Sequence, residues 1–268
     1  MALPEPDIHS TALVTGASSG IGAEIARELA RRGHGVTLVA RREERLRELA
    51  DELTAEHGVH AEPVACDVTS EDDRRKLVKS IDDRGVTVDV LVNNAGFGSA
   101  GRFWELDADK EVSMVRTNCE AVVALCGTYV PRMVNRGHGA ILNTASVAGF
   151  QPIPRQATYA ASKAFVVSFT DSLHTELNGT GVTATALCPG PVPTEFGDVA
   201  DLGMEFDSLP SFAVMSAADT ARAAVEAMEK GRRGVAPGIF NTVSATAGRM
   251  TPRTVLLPLL DRFYPAGK

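Results

Sequence analysis

The stretch Ala12-Leu13-Val14-Thr15-Gly16-Ala17-Ser18-Ser19-Gly20-Ile21-Gly22 decides how the rest of the chain is read. Ala12 to Thr15 has the run of a short buried strand. Ile21 to Arg32 repeats apolar residues at Ile21, Ile25 and Leu29, one face of a helix that Gly33 stops. A strand that feeds a helix through a glycine-rich turn brings free backbone N–H groups and the positive end of the helix dipole to one point, where a pyrophosphate is stabilised. Gly16 permits the tight turn, while Gly20 and Gly22 let backbone approach a ligand and the helix approach the sheet.

Working outward, the same alternation continues. Gly35 to Ala40, Val59 to Cys66, Asp89 to Val92, Ala140 to Thr144 and Val182 to Leu187 read as strands, and Val235 begins a short last one. Between them, Glu43 to His57, a segment capped by Thr69 and running to Asp83, a long bent helix from Asp107 to Asn135, and Thr158 to Leu177 read as helices. Ser216 followed by Asp219 resembles a capping box that opens a helix to Lys230. Parallel strands need crossover helices, so the expected fold is α/β: one doubly wound, Rossmann-like parallel sheet of about seven strands with helices on both faces. A single domain over residues 1–236 is expected, followed by a helical extension over residues 237–268. In that extension Thr251 and Pro252 start a helix that Pro258 kinks. Its apolar residues are expected to pack on the domain or on a partner subunit.

The net charge of −7 argues against a nucleic-acid partner bound through its phosphates. Cys66, Cys119, Cys126 and Cys188 have no metal-ligand spacing, so buried reduced thiols are expected and no metal. The first ten residues lack the apolar core of a signal peptide, and no window reaches the roughly 18 apolar residues of a membrane span. A cytoplasmic protein is expected.

Three further patterns carry chemistry. Ala40 ends the second strand and is followed by Arg41 and Arg42. An acidic residue at that strand end would accept a hydrogen bond from a ribose 2′-hydroxyl, whereas arginines pair with a 2′-phosphate. Glu43 and Glu44 offer the alternative, a solvated helix start in which they neutralise the arginines. Asn93-Asn94-Ala95-Gly96 follows the fourth strand. Tyr159 and Lys163, four apart, share one helix face, with Ser146 thirteen positions before the tyrosine and Asn118 in the long helix.

In this order, T-G-x-x-x-G-x-G, N-N-A-G and Asn-Ser-Tyr-Lys resemble the short-chain dehydrogenase/reductase family over about residues 10–236. The resemblance implies an oxidoreductase that moves a hydride between NADP(H), rather than NAD(H), and a carbonyl or secondary alcohol carbon. Asn118, Ser146, Tyr159 and Lys163 match its catalytic tetrad. Tyr159 is then the general acid in reduction and the base in oxidation. Lys163 lowers its pKa and holds the nicotinamide ribose, Ser146 orients the substrate oxygen, and Asn118 anchors a water relay. Implied cofactor contacts are Gly16, Ser18, Ser19, Gly20, Ile21, Gly22, Arg41, Arg42, Asp67, Val68, Asn94, Ala95, Gly96, Pro189, Gly190, Val192 and Thr194, along with Tyr159 and Lys163. The asparagines of N-N-A-G are implied to stabilise the sheet, and Thr194 to contact the carboxamide. In place of the basic loop residue of some NADP-preferring relatives, this chain has Ser18 and Ser19.

Residues 195–215, with Phe196, Leu202, Met204, Phe206, Leu209, Phe212 and Met215, suggest a lid over a hydrophobic substrate pocket. Phe97, Trp104 and Phe150 are either pocket wall or packing residues, and His174 is expected on a helix surface. Two other functions fit the same fold: a β-ketoacyl thioester reductase and a non-catalytic NADPH-binding sensor. A homo-oligomer, dimer or tetramer, is implied by the resemblance.

Overall fold

The computed structural model describes residues 3–199 and 213–263. Seven strands form one parallel sheet in the order β3-β2-β1-β4-β5-β6-β7. They are β1 (Ser10–Thr15), β2 (Val36–Ala40), β3 (Ala61–Ala65), β4 (Thr87–Asn93), β5 (Gly139–Thr144), β6 (Val182–Leu187) and β7 (Gly234–Val235). The helices are α1 (Gly20–Arg31), α2 (Glu43–His57), α3 (Glu71–Asp83), α4 (Ala108–Val115), α5 (Ala121–Arg136), α6 (Ala157–Glu176), the single turn α7 (Phe196–Val199), α8 (Ala217–Glu229), α9 (Ile239–Met250) and α10 (Arg253–Phe263). The expected α/β fold is the observed one.

Alternation along each strand builds two cores. Val14, Val92 and Leu142 join Ile25 and Leu29 of α1, Leu46 of α2 and Val225 of α8. Leu13, Leu91 and Ile141 point the other way, to Leu77 of α3, Leu125 and Tyr129 of α5 and Leu177 just after α6. Both faces are covered, which explains why the strands read as unbroken apolar runs. Pro63 lies in β3, at the sheet edge, where a missing N–H is tolerated. Strand order reverses between β1 and β4. The crevice outside the carboxyl ends of these two strands is therefore where a ligand is accommodated in such a sheet.

The structure corrects two local expectations. Ser70, not Thr69, caps α3, accepting from the Asp73 amide at 3.2 Å, while Thr69 bonds back to Asp67. The bent helix is two helices joined by a π-helical turn, Arg116–Glu120. The last helix runs on through Pro258, and of its apolar residues Leu256 is buried whereas Val255, Leu257 and Leu259 are exposed. Leu202, Met204, Phe206, Leu209 and Phe212 lie outside the described residues.

A buried polar chain ties the sheet centre to α6. Asn93 Nδ2 donates to Asn143 Oδ1 at 2.8 Å, and Asn143 Nδ2 donates to Thr170 Oγ1 at 2.9 Å. Asn143→Leu keeps the branched shape but removes the acceptor of the Asn93 amide, leaving it only the weak contact with Cys126 Sγ at 3.3 Å. It is expected to lower unfolding free energy by about 1–3 kcal/mol, read from the urea midpoint at unchanged slope.

Candidate functional site

The turn after β1 is shaped by what glycine lacks. Gly16 and Gly20 have φ of +67° and +57°, a region side chains avoid. A Cβ on Gly16 would lie 2.9 Å from Ala95 Cα, and one on Gly22 would overlap the Gly16 carbonyl and the Asn94 amide. The turn is thus pressed against N-N-A-G. Thr15 Oγ1 accepts from the Asn94 and Ala95 amides at 3.0 and 3.1 Å and donates to the Val92 carbonyl at 3.2 Å. Asn94 Nδ2 donates back to the Thr15 carbonyl at 3.2 Å. At the start of α1, Ser19 makes no side-chain cap and the first turn holds no acidic residue. Its orphan N–H groups and positive dipole end are left to an anion.

Arg42 reaches this turn. Its guanidinium donates to Ser18 Oγ at 3.0 and 3.2 Å and to Ser19 Oγ at 2.8 Å. Glu43 pairs with Arg47 instead of the arginines before it. Arg42 and Arg45 both pair with Glu195, at 2.7 and 2.5 Å. Arg41 is exposed and acts on Asp67 only through its charge. Burial works against the Asp67 carboxylate, but hydrogen bonds from the Thr69 amide and hydroxyl, at 2.9 and 2.7 Å, prevail and hold its pKa below the ordinary value. Val68 beside it is buried, and Ile21 is half-buried against the α1 core.

The four tetrad candidates lie on neighbouring elements. Lys163 Nζ, buried, donates to the Thr144 carbonyl at 2.8 Å and lies 5.8 Å from the centre of the Tyr159 ring. Asn118 sits in the π-helical turn, a local widening frequent at functional sites. Its Nδ2 donates to the Phe97 carbonyl and to Ser162 Oγ, both at 3.0 Å, and its Oδ1 accepts from the Phe97 amide at 3.2 Å. A Cβ on Gly96 would lie 2.9 Å from Asn118 Oδ1 and 3.5 Å from Lys163 Nζ, so a glycine here leaves room for both side chains. Ser146 Oγ donates to the Pro189 carbonyl at 3.4 Å and accepts from the Ala148 amide at 3.1 Å. The Ser146 hydroxyl is also near enough to the Tyr159 phenol to act on its pKa.

The loop after β6 closes the site. A Cβ on Gly190 would overlap the Asn241 amide of α9, and one on Gly20 would lie 3.1 Å from Thr194 Cγ2. Val192 is buried. These contacts link the glycine turn to Asn94, Ala95, Arg42 and Thr194, and bring Gly96 close to Asn118 and Lys163, whereas Arg41 makes no hydrogen bond or ion pair among the described residues. Thr15, Thr144, Ser162 and Asn241 support the site without having been singled out. Thr15 opens the glycine motif and was the readable one. Thr144 acts through a carbonyl that every residue has. Trp104 is 78% exposed, under Arg102, and Phe150 packs on a small cluster with Val166 and Cys188. His174 is half-buried, its Nδ1 2.8 Å from the Ala184 carbonyl, so it belongs to the packing of α6 on β6.

Burial dominates the electrostatics of Tyr159 and Lys163. Burial pushes the Tyr159 phenol up to about 12, with the Ser146 hydroxyl acting against it. Burial pushes Lys163 down to about 8. In this chain alone, desolvation is the largest influence on both groups.

A model of the short chain dehydrogenase family matches residues 10–205. The chain belongs to that family and is an oxidoreductase of it. A short chain dehydrogenase of Pseudocercospora fijiensis is 40% identical over 189 residues, 70% of this chain and 61% of that protein. The chain thus spans under two thirds of that relative's length. A short-chain dehydrogenase from Sphingobium yanoikuyae, solved in complex with NADPH, superposes with a TM-score of 0.79 at 34% identity, covering 93% of this chain and 95% of that one. A variant of actinorhodin polyketide ketoreductase, solved with NADPH, gives 0.78 at 33% identity, covering 92% and 100%.

Lys163 also makes stability depend on pH. Its folded pKa of about 8 lies below the unfolded value of 10.5, so between these limits the unfolded chain holds a proton the folded chain has lost. Stability therefore rises with pH across that window. Tyr159, raised to about 12, opposes the rise only above pH 10. Urea unfolding at pH 8 and pH 10 should show the wild type gaining about 2 kcal/mol relative to Lys163→Met.

Proposed function

We propose that the protein is an NADP(H)-dependent carbonyl reductase, or the matching secondary-alcohol dehydrogenase, with Tyr159 as the general acid and base. The observation that carries this reading is the convergence of Asn118, Ser146, Tyr159 and Lys163 beside the uncapped glycine turn. The residues present fit the cofactor. Gly16, Ser18, Ser19, Gly20, Ile21 and Gly22 would hold the pyrophosphate, and Arg42, with Arg41 beside it, the 2′-phosphate. Asp67 and Val68 would hold the adenine, and Asn94, Ala95 and Gly96 the adenosine ribose. Pro189, Gly190, Val192 and Thr194 would hold the nicotinamide. Bound there, NADPH supplies a hydride for the carbonyl carbon.

The chain's own residues handle the proton. Ser146 orients the substrate oxygen, and Tyr159 Oη gives its proton to that oxygen in reduction and takes it back in oxidation. A phenol kept neutral by burial is in the form reduction needs. Lys163 holds the nicotinamide ribose hydroxyls, and Asn118 anchors the water that returns protons to Lys163. The free thiols of all four cysteines support a reducing, cytoplasmic setting. Val112 and Val115 of α4, Val123 of α5 and Phe165 of α6 are exposed, which supports a homo-oligomer formed through these helices. Sedimentation is expected to show a dimer or tetramer of the 28.3 kDa chain, and a monomer alone would refute it.

Tyr159→Phe is expected to lower kcat by roughly 10²- to 10⁴-fold with NADPH affinity retained, measured by stopped-flow and by titration. Arg42→Ala should weaken NADPH binding by about 1–3 kcal/mol and leave NADH unchanged. Equal losses for both cofactors would overturn the 2′-phosphate assignment. The likeness to a polyketide ketoreductase supports a second reading, a β-ketoacyl thioester reductase. Turnover of acyl thioesters but not of simple ketones would select it.

A further inference from the structure

Thr194, Glu195 and Phe196 are consecutive, yet they touch three separate parts of the site. Thr194 lies against Gly20 of the glycine turn. The Glu195 carboxylate receives Arg42 on one oxygen and Arg45 on the other. The Phe196 ring lies 5.6 Å from the Tyr159 ring, inclined at 52°. Arg42 meanwhile keeps its hold on Ser18 and Ser19, so the carboxylate stands beside the turn, on the guanidinium assigned to the 2′-phosphate.

The charges do not balance in this arrangement. Two guanidiniums face one carboxylate, and one positive charge is left over. A phosphate monoester carries close to two negative charges near neutrality and three acceptor oxygens, so it matches the pair of arginines better. The side chains of Arg42, Arg45 and Glu195 are 45%, 46% and 44% exposed, and exposed pairs of this kind exchange at small cost.

We propose that Glu195 is a cofactor-discriminating latch: its carboxylate holds the arginines that a 2′-phosphate takes, and its displacement draws Phe196 away from Tyr159. The inference rests on the reading of Arg42 as the 2′-phosphate partner. A cofactor without that phosphate binds with the latch still closed and Phe196 still over the tyrosine. The 2′-phosphate then does more than add affinity, since it uncovers the group that gives the proton.

Titration of NADPH and NADH into the wild type, Glu195→Gln and Arg42→Ala tests this. Removing the carboxylate's charge should tighten NADPH about two- to ten-fold, as expected for an exposed two-arginine network, and leave NADH unchanged. If Arg42→Ala weakens NADPH selectively but Glu195→Gln leaves NADPH the same or weaker, the latch is wrong and the NADPH reading stands. If Arg42→Ala does not discriminate, that reading fails and the latch with it. A second readout follows the neighbouring residue. In F196W made in a W104F background, acrylamide quenching of the single indole should rise with 2′-AMP and not with 5′-AMP. Equal responses to the two nucleotides would overturn the release of residue 196.

Discussion

Thr15 Oγ1 sits between the ends of β1 and β4, accepting from two amides of the facing turn and donating to the Val92 carbonyl. That one hydroxyl fixes how closely the glycine turn approaches N-N-A-G, and the approach leaves no room for a Cβ at Gly16 or Gly22. The rest follows from it. The start of α1 is aimed over the strand-order reversal, Gly96 comes to lie where Asn118 and Lys163 meet, and Thr194 finds a flat surface at Gly20. A sheet with the same strands but a looser contact between β1 and β4 would keep the two cores and lose the crevice.

How much of this was legible depends on what kind of interaction each part uses. Apolar periodicity located the central strands and helices because burial on both faces is written directly in residue type. The glycines were legible because only a residue without Cβ meets the requirement. Tyr159 and Lys163 were legible because a spacing of four on a helix is already a geometry. The π-helical turn was not, since a change in backbone hydrogen-bond register leaves little mark on side-chain pattern; Asn118, a poor helix former inside a helix, was its only trace. The cap of α3 fell one residue off because Thr69 and Ser70 offer the same hydroxyl, and only the phase of the chain chooses between them. Arg41 and Arg42 could not be ranked, because the choice is made by a turn and a glutamate far away in sequence.

Tyr159 and Lys163 show why residue types alone do not give electrostatics. The familiar expectation is that an ammonium draws a phenol toward phenolate. Here both groups are buried, and burial penalises each charge separately, raising one pKa and lowering the other. Between about pH 8 and 12 both groups are then neutral, and below pH 8 the lysine still carries its charge. A neutral phenol is a proton donor, and a lysine whose pKa lies near 8 can pass a proton at modest pH. The bond from Lys163 to the Thr144 carbonyl holds the amine at the strand end.

The C-terminal extension has a place in the same argument. Asn241 is buried, donates to the Pro237 carbonyl at 2.7 Å, and fills the space a side chain at Gly190 would need. Gly248 of α9 lies equally close to Gln151, just beyond Ser146 in sequence. The extension therefore braces the two segments that carry Ser146 and the start of the loop after β6. With Pro189 and Gly190 held from behind, residues 191–196 are the part of that loop left to respond to what binds. The arginines and the tyrosine lie at its far end, on Glu195 and Phe196. A rigid root and a weakly held tip are what a segment needs if a charge arriving at one wall of the crevice is to be felt at the other.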